Sequence, residues 1–197
     1  MFRKPIKEFS FNFKIMINVL YIHSSSVYYN YPNLGCWSEK EDARNFTGKG
    51  VIIAHPPCRL WSQMRAFSKA DPTEKEYGLK AIDHVRKYGG IVENPVSSQL
   101  WKAKNIPLPG FRDEFGGFSV SVNQSWFGYY TRKNTLLYIV GIEPKELPPY
   151  PALNPVISRK FDNLSPKQRS ETVPAFAEWL INIANLIEQK KTNCNVS

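Results

Sequence analysis

The sequence predicts an α/β fold, a single domain built on a mostly parallel sheet with a late antiparallel hairpin. Two apolar, β-branched runs carry that expectation, Val51-Ile-Ile-Ala54 and Gly90-Ile-Val-Glu93, each stopping abruptly at a polar cluster, as buried parallel strands do at their carboxyl ends. Between them lies a segment with the marks of a helix. Asp71 is its cap, Pro72 and Glu74 its first turn, Leu79, Ile82 and Val85 its apolar face, and Gly89-Gly90 its terminator. Strand, helix and strand make a βαβ unit, which requires a parallel pair and a right-handed crossover. A chain of 197 residues has room for one such domain and not for two ordinary ones.

Along the chain, residues 1–14 are basic and aromatic without clear period and read as a flexible segment ahead of a domain spanning 15–189. Ile15 to Ile22 reads as a first buried strand, ending at His23-Ser24-Ser25-Ser26, a polar turn suited to cradling a ligand or to capping a helix. Val27 to Asn33 is an aromatic loop, fit for base stacking or plain packing. Glu39 to Asn45 reads as a short helix or turn, and Gly48-Lys-Gly50 turns the chain into the strand at Val51. After the βαβ unit, Pro107 to Gly117 is a loop, and Phe118–Val122 and Thr135–Val140 read as antiparallel strands flanking Gln124 to Lys133. A proline-rich stretch, 143–155, precedes a last helix that begins near Ser165-Pro166 or Val173-Pro174 and presents Phe176, Trp179, Leu180, Ile183 and Leu186 at helical spacing. Residues 190–197 read as a flexible tail.

Lys and Arg outnumber Asp and Glu by 26 to 17, a formal +9. That balance favours a polyanionic partner, DNA, RNA or a free nucleotide, through phosphate neutralisation and counterion release. Part of the excess lies in the terminal segments, where solvated charge is common. Cys36, Cys58 and Cys194 have no paired spacing, so neither a disulfide scaffold nor a metal site is expected. The absence of a long apolar run points away from a membrane and towards a cytoplasmic protein, alone, with a protein partner or as a homo-oligomer.

The chemistry concentrates at two strand ends. His55-Pro-Pro57-Cys58-Arg59 follows the first of the paired runs, and Glu93-Asn94-Pro95 closes the second. A thiol and a carboxylate facing one site suit covalent attack on a pyrimidine, in which a thiolate adds to ring carbon 6 while an acid engages the ring nitrogen. A nearby cation would lower the thiol pKa, with Arg59, Lys133 or His55 as sources. The plainer alternatives are an inert buried cysteine and a carboxylate that caps a helix or pairs with an arginine.

At these residues the chain resembles the cytosine-5 DNA methyltransferases. It is more closely similar to small phage-encoded proteins described as cytosine methyltransferase-like, through Ala54 to Cys58, Glu93 to Pro95, Gln124 to Gly128 with Lys133, and Arg169-Ser-Glu-Thr172-Val-Pro174. The resemblance spans roughly residues 17 to 185 and implies a Rossmann-like, methyltransferase-like fold, in the cytoplasm of a bacterium or of a phage-infected host. It also implies Cys58 as attacking thiolate, Glu93 as the acid at the target ring nitrogen, and Arg132 or Lys133 as a contact to its carbonyl oxygen. His55, Pro57, Arg59, Asn94 and Gln124 complete the substrate side.

S-adenosylmethionine is the implied methyl donor. Where that family carries a Gly-rich turn, this chain reads His23-Ser24-Ser25-Ser26, and the acid for the donor ribose is sought among Glu39, Glu41 and Asp42, with Asp42 preferred. Too few residues separate Gly141 from the last helix for a target-recognition domain, so a free nucleotide, a single strand or DNA presented by a partner is a better substrate than bare duplex.

Three other readings compete. In an amino-directed methyltransferase His55 would orient the amine and Cys58 would be incidental. A chain that kept the fold and lost donor chemistry would be a nucleotide-binding or anti-defence protein. A base-excising or base-exchanging enzyme would use the carboxylate near the sugar and need no methyl donor.

Overall fold

Period-2 alternation along the strands sorts their side chains into two cores, one on each face of a six-stranded sheet. The computed structural model describes residues 17–38, 41–63, 65–151, 157, 159–160 and 163–194. The strands are β1 (Ile17–Ile22), β2 (Leu34–Ser38), β3 (Val51–Ala54), β4 (Gly90–Pro95), β5 (Phe118–Asn123) and β6 (Asn134–Val140), and the helices are α1 (Lys75–Tyr88), α2 (Leu100–Ala103), α3 (Pro166–Ser170) and α4 (Pro174–Cys194). The sheet order is β2-β1-β3-β4-β6-β5. β1 pairs in parallel with β2 and β3, and β3 with β4, while β6 runs antiparallel to both β4 and β5.

The expected parallel unit and late hairpin are both present. Val19, Val51, Ile53, Ile91, Leu137 and Ile139 face α4, whose Phe176, Leu180, Ile183 and Ile187 cover them. Leu20, Ile52, Val92, Leu136 and Tyr138 face Ala81, Ile82 and Val85 of α1. Strands covered on both faces favour apolar residues throughout, which is why β3 reads as a continuous apolar run and β1 is broken only by Asn18, whose amide donates to the Lys49 carbonyl at 3.0 Å.

The start of α1 differs slightly from expectation. Asp71 accepts from the Thr73 amide at 2.9 Å, but the turn it caps, Pro72–Glu74, is a tighter 3-10 turn from which α1 continues to Gly89. Gly90 has φ +142, and a Cβ there would stand 2.0 Å from the Ile52 carbonyl oxygen. Only glycine lets β4 approach β3 so closely.

Three readings need revision. β2 lies just beyond the aromatic loop where no strand was expected; its Leu-Gly-Cys-Trp-Ser sequence is short, half-buried and at a sheet edge, so it carries little periodic signal. Both expected starts of the last helix are used, α3 opening with a reciprocal Ser165–Gln168 capping box and α4 following at Pro174. α4 runs on to Cys194, so residues 190–194 are helix rather than tail. The segment 1–14, and Ile15 and Met16 of the first expected strand, lie outside the described residues. Among the described residues no helix is long and apolar enough to cross a membrane.

Candidate active site

β1 leads its connection to β2 on one side, and β3 leads to β4 on the other. In open α/β sheets such a divergence leaves a crevice at the carboxyl ends of the two strands, where ligands bind. His55, the first residue past β3, spans that crevice, its backbone amide donating to Leu20 of β1 at 3.0 Å. Its ring then joins two further segments. Nε2 lies 3.0 Å from the Tyr28 hydroxyl, and Nδ1 lies 3.2 Å from Oε2 of Glu93, which projects from β4. Gln124 Nε2 donates to the other Glu93 oxygen at 2.9 Å and to Thr135 Oγ1 at 2.9 Å.

Asn94 is a strut. It is 1% exposed, and its side-chain amide donates to the Pro56 carbonyl at 2.8 Å, tying the β4 end to the loop that carries Cys58. It does not present itself to a ligand as a substrate-side residue would. Pro56 is buried and Pro57 half-buried, and the chain emerges at Cys58, an exposed residue whose thiol still has protein crowded round it. The structure thus brings Cys58 and Glu93 to neighbouring strand ends.

Lys133 rather than Arg132 is the cation of this cluster. Its backbone amide donates to Asn123 Oδ1 at 3.2 Å, its Nζ donates to the Glu171 carbonyl at 3.2 Å, and the ammonium sits 4.9 Å from the Tyr129 ring centroid. Its charge is felt by both Glu93 and Cys58. Arg132 is exposed. Arg59 turns away as well, its guanidinium bidentate on Glu74 at 2.7 and 2.8 Å.

These charges do not activate the thiol in the expected direction. Crowding by protein around Cys58 pushes its pKa up, the Glu93 charge adds to that rise, and Lys133 and Arg59 offset it only in part. Burial would also raise Glu93, but the His55 hydrogen bond, the Lys133 charge and Thr135 outweigh it and hold the carboxyl below its ordinary value. Burial lowers Lys133, with Glu93, Cys58 and Glu171 acting against it. The resting site therefore holds a carboxylate and a protonated thiol.

The donor side is arranged differently from expectation. His23 to Ser26 closes on itself, the Ser25 hydroxyl 2.8 Å from His23 Nδ1 and the Ser26 amide donating to the His23 carbonyl at 2.8 Å. Ser24 and Ser25 are exposed, and only a 3-10 turn, Val27–Asn30, follows. Asp42 is bidentate with Arg44, at 2.8 Å from both Nε and Nη2, and also accepts from Asn45, so its carboxylate serves a local turn. Glu41 folds back on the end of β2, accepting from the Ser38 amide and hydroxyl at 2.8 and 2.6 Å; Glu39 lies outside the described residues. Tyr21, at φ +61 where the β1 and β2 register slips, turns its ring towards Tyr77. A bulky residue there is backbone strain at the carboxyl end of β1.

Tyr28, Thr135, Tyr129 and Glu171 were not singled out from sequence. Tyr28 lay in a loop whose aromatics suited base stacking, yet it is fully buried. Trp61 and Trp101 are core residues. Among the described residues no group of three or more His, Cys, Asp or Glu is placed to hold a metal ion.

Neither a protein-family model nor a curated protein sequence matches this chain.

Proposed function

We propose that this Rossmann-like, methyltransferase-like domain acts on a pyrimidine, free or in a single strand, through Cys58 as nucleophile and Glu93 as the group that grips the ring nitrogen. The observation that carries the reading is the delivery of Cys58 and Glu93 from adjacent strand ends, with Lys133 close enough to act on both. Cys58 would first give its thiol proton to solvent; the thiolate sulfur would then bond to ring carbon 6, the carbon 5–carbon 6 electron pair would move through the ring onto the exocyclic oxygen, and the Lys133 ammonium would stabilise that charge. A proton taken from solvent at carbon 5 gives the dihydro adduct; loss of the original carbon 5 hydrogen as a proton to solvent regenerates the enolate, which re-forms the carbon 5–carbon 6 double bond and expels the sulfur as thiolate.

The donor-side residues fit S-adenosylmethionine poorly. The turn after β1 offers no glycine and no following α-helix, and Asp42 is already engaged by Arg44. No step is therefore routed through a donor. The same observations favour, as a second reading, a nucleotide-binding module that kept the fold without group transfer.

Exchange of the carbon 5 hydrogen separates the two. Addition at carbon 6 makes carbon 5 basic, so the wild type in deuterated water should replace that hydrogen in pyrimidine nucleotides or a short single strand, while Cys58→Ser should not. Binding without exchange would leave the module reading, and calorimetric titration with S-adenosylmethionine would show whether a donor is taken up.

A further inference from the structure

The hydrogen bonds around Glu93 specify what its ligand must bring. Gln124 Nε2 donates to Oε1, and His55 Nδ1 is placed 3.2 Å from Oε2. The Gln124 amide cannot be turned over, because its oxygen would then face the carboxylate. Gln124 is 1% exposed and its Oε1 has no donor; the same is true of Asn94 Oδ1, whose amide is held in its orientation by the Pro56 carbonyl. Asn94 lies on the opposite face of β4 from Glu93, so the acceptor without a donor beside the carboxylate is Gln124 Oε1. Facing a carboxylate, His55 Nδ1 carries a proton and gives it to Glu93, while Nε2 faces the Tyr28 hydroxyl. Both carboxylate oxygens then accept, and what either still offers a ligand is a further lone pair.

We propose that the ring nitrogen seated against Glu93 carries a hydrogen, so that the base taken by this site is of the uracil type rather than the cytosine type. This rests on the pyrimidine reading above. The ring nitrogen of uracil between its two carbonyls is an N–H donor, whereas the corresponding nitrogen of cytosine is an acceptor and would meet the carboxylate lone pair to lone pair. A carbonyl oxygen beside that N–H is the acceptor for Lys133, and sulfur addition at carbon 6 of uracil sends charge onto a carbonyl oxygen with no proton needed from Glu93. Cytosine would require one at its ring nitrogen, and Glu93, held ionised by His55 and Lys133, does not carry it. The titratable groups that face this pair are Tyr28, Cys58 and Tyr129, held neutral, and the cation Lys133.

Calorimetric titration of the full chain with deoxyuridine and deoxycytidine monophosphates at pH 8 tests this. Deoxyuridine monophosphate should bind tighter by about tenfold or more, the scale of one charge-assisted hydrogen bond. Lowering the pH should narrow the gap as cytosine takes up the missing proton. Glu93→Gln, whose side-chain amide can both donate and accept, should narrow it at pH 8. Equal or tighter binding of the cytosine nucleotide by the wild type at pH 8 overturns the inference while leaving the pyrimidine reading intact. Binding of neither, together with no carbon 5 exchange, overturns both.

Discussion

His55 Nδ1 stands 3.2 Å from Glu93 Oε2, so an imidazole just past β3 and a carboxylate on β4 form one hydrogen-bonded unit, each side chain only 10 to 13% exposed. The carboxylate is thereby oriented by a residue two positions ahead of the proline that precedes Cys58. Buried networks of this kind are costly to break in part, because a lone partner keeps its desolvation penalty.

The thiol should be quiet at neutral pH. Its pKa lies above the ordinary 9.0, so alkylation of Cys58 by iodoacetamide should rise steeply only in the alkaline range. Glu93→Gln removes a charge that raises the pKa and should speed alkylation at pH 8 by about threefold or more, since one pKa unit is a factor of ten in thiolate. Lys133→Met should slow it. Identical rate profiles for all three proteins would remove the electrostatic account.

Glu93 should also leave a mark on acid stability. Its folded pKa is below the ordinary 4.5, so its contribution is present in full above that value and is lost as pH falls through the lower folded value. Urea unfolding of wild type and Glu93→Gln should therefore differ most near neutrality and converge towards pH 3. A gap that widened with acid would contradict the depressed pKa.

Asn94→Ala should destabilise the fold by about 1–3 kcal/mol, the cost of leaving a buried carbonyl such as that of Pro56 without its donor. Because the strut also seats the Cys58 loop, Cys58 alkylation by iodoacetamide should change in the same variant. A stability loss with unchanged thiol reactivity would restrict Asn94 to packing.

Gly90→Ala should cost about 3 kcal/mol or more. A methyl group there meets backbone at 2.0 Å and the residue sits at φ +142, two of the mechanisms behind the largest single-site losses. Thermal melting reads this directly, and a shift of only a degree or two would show that β3 and β4 can separate without penalty.

The chain order of amino acids was enough to place the strands that end at Ala54 and Glu93, the helix between them and the late hairpin, because each is written in local signals: β-branched runs, an Asp-Pro cap, a Gly-Gly stop. It was also enough to put a thiol and a carboxylate at neighbouring strand ends, since parallel pairing follows from the helical crossover. β2 escaped notice because an edge strand with glycine and cysteine has no periodic pattern. What the tertiary structure alone decided is which groups surround the pair. Tyr28, His55 and the Gln124–Lys133 connection come from three separate segments, and although His55, Gln124 and Lys133 were expected at the site, no spacing in the sequence records the hydrogen bonds that join them or brings in Tyr28. The direction of the Cys58 pKa was decided the same way: Arg59, its neighbour in sequence, pairs with Glu74, and crowding together with the Glu93 charge outweighs the cations, because burial and distance, not order along the chain, set the balance of charge.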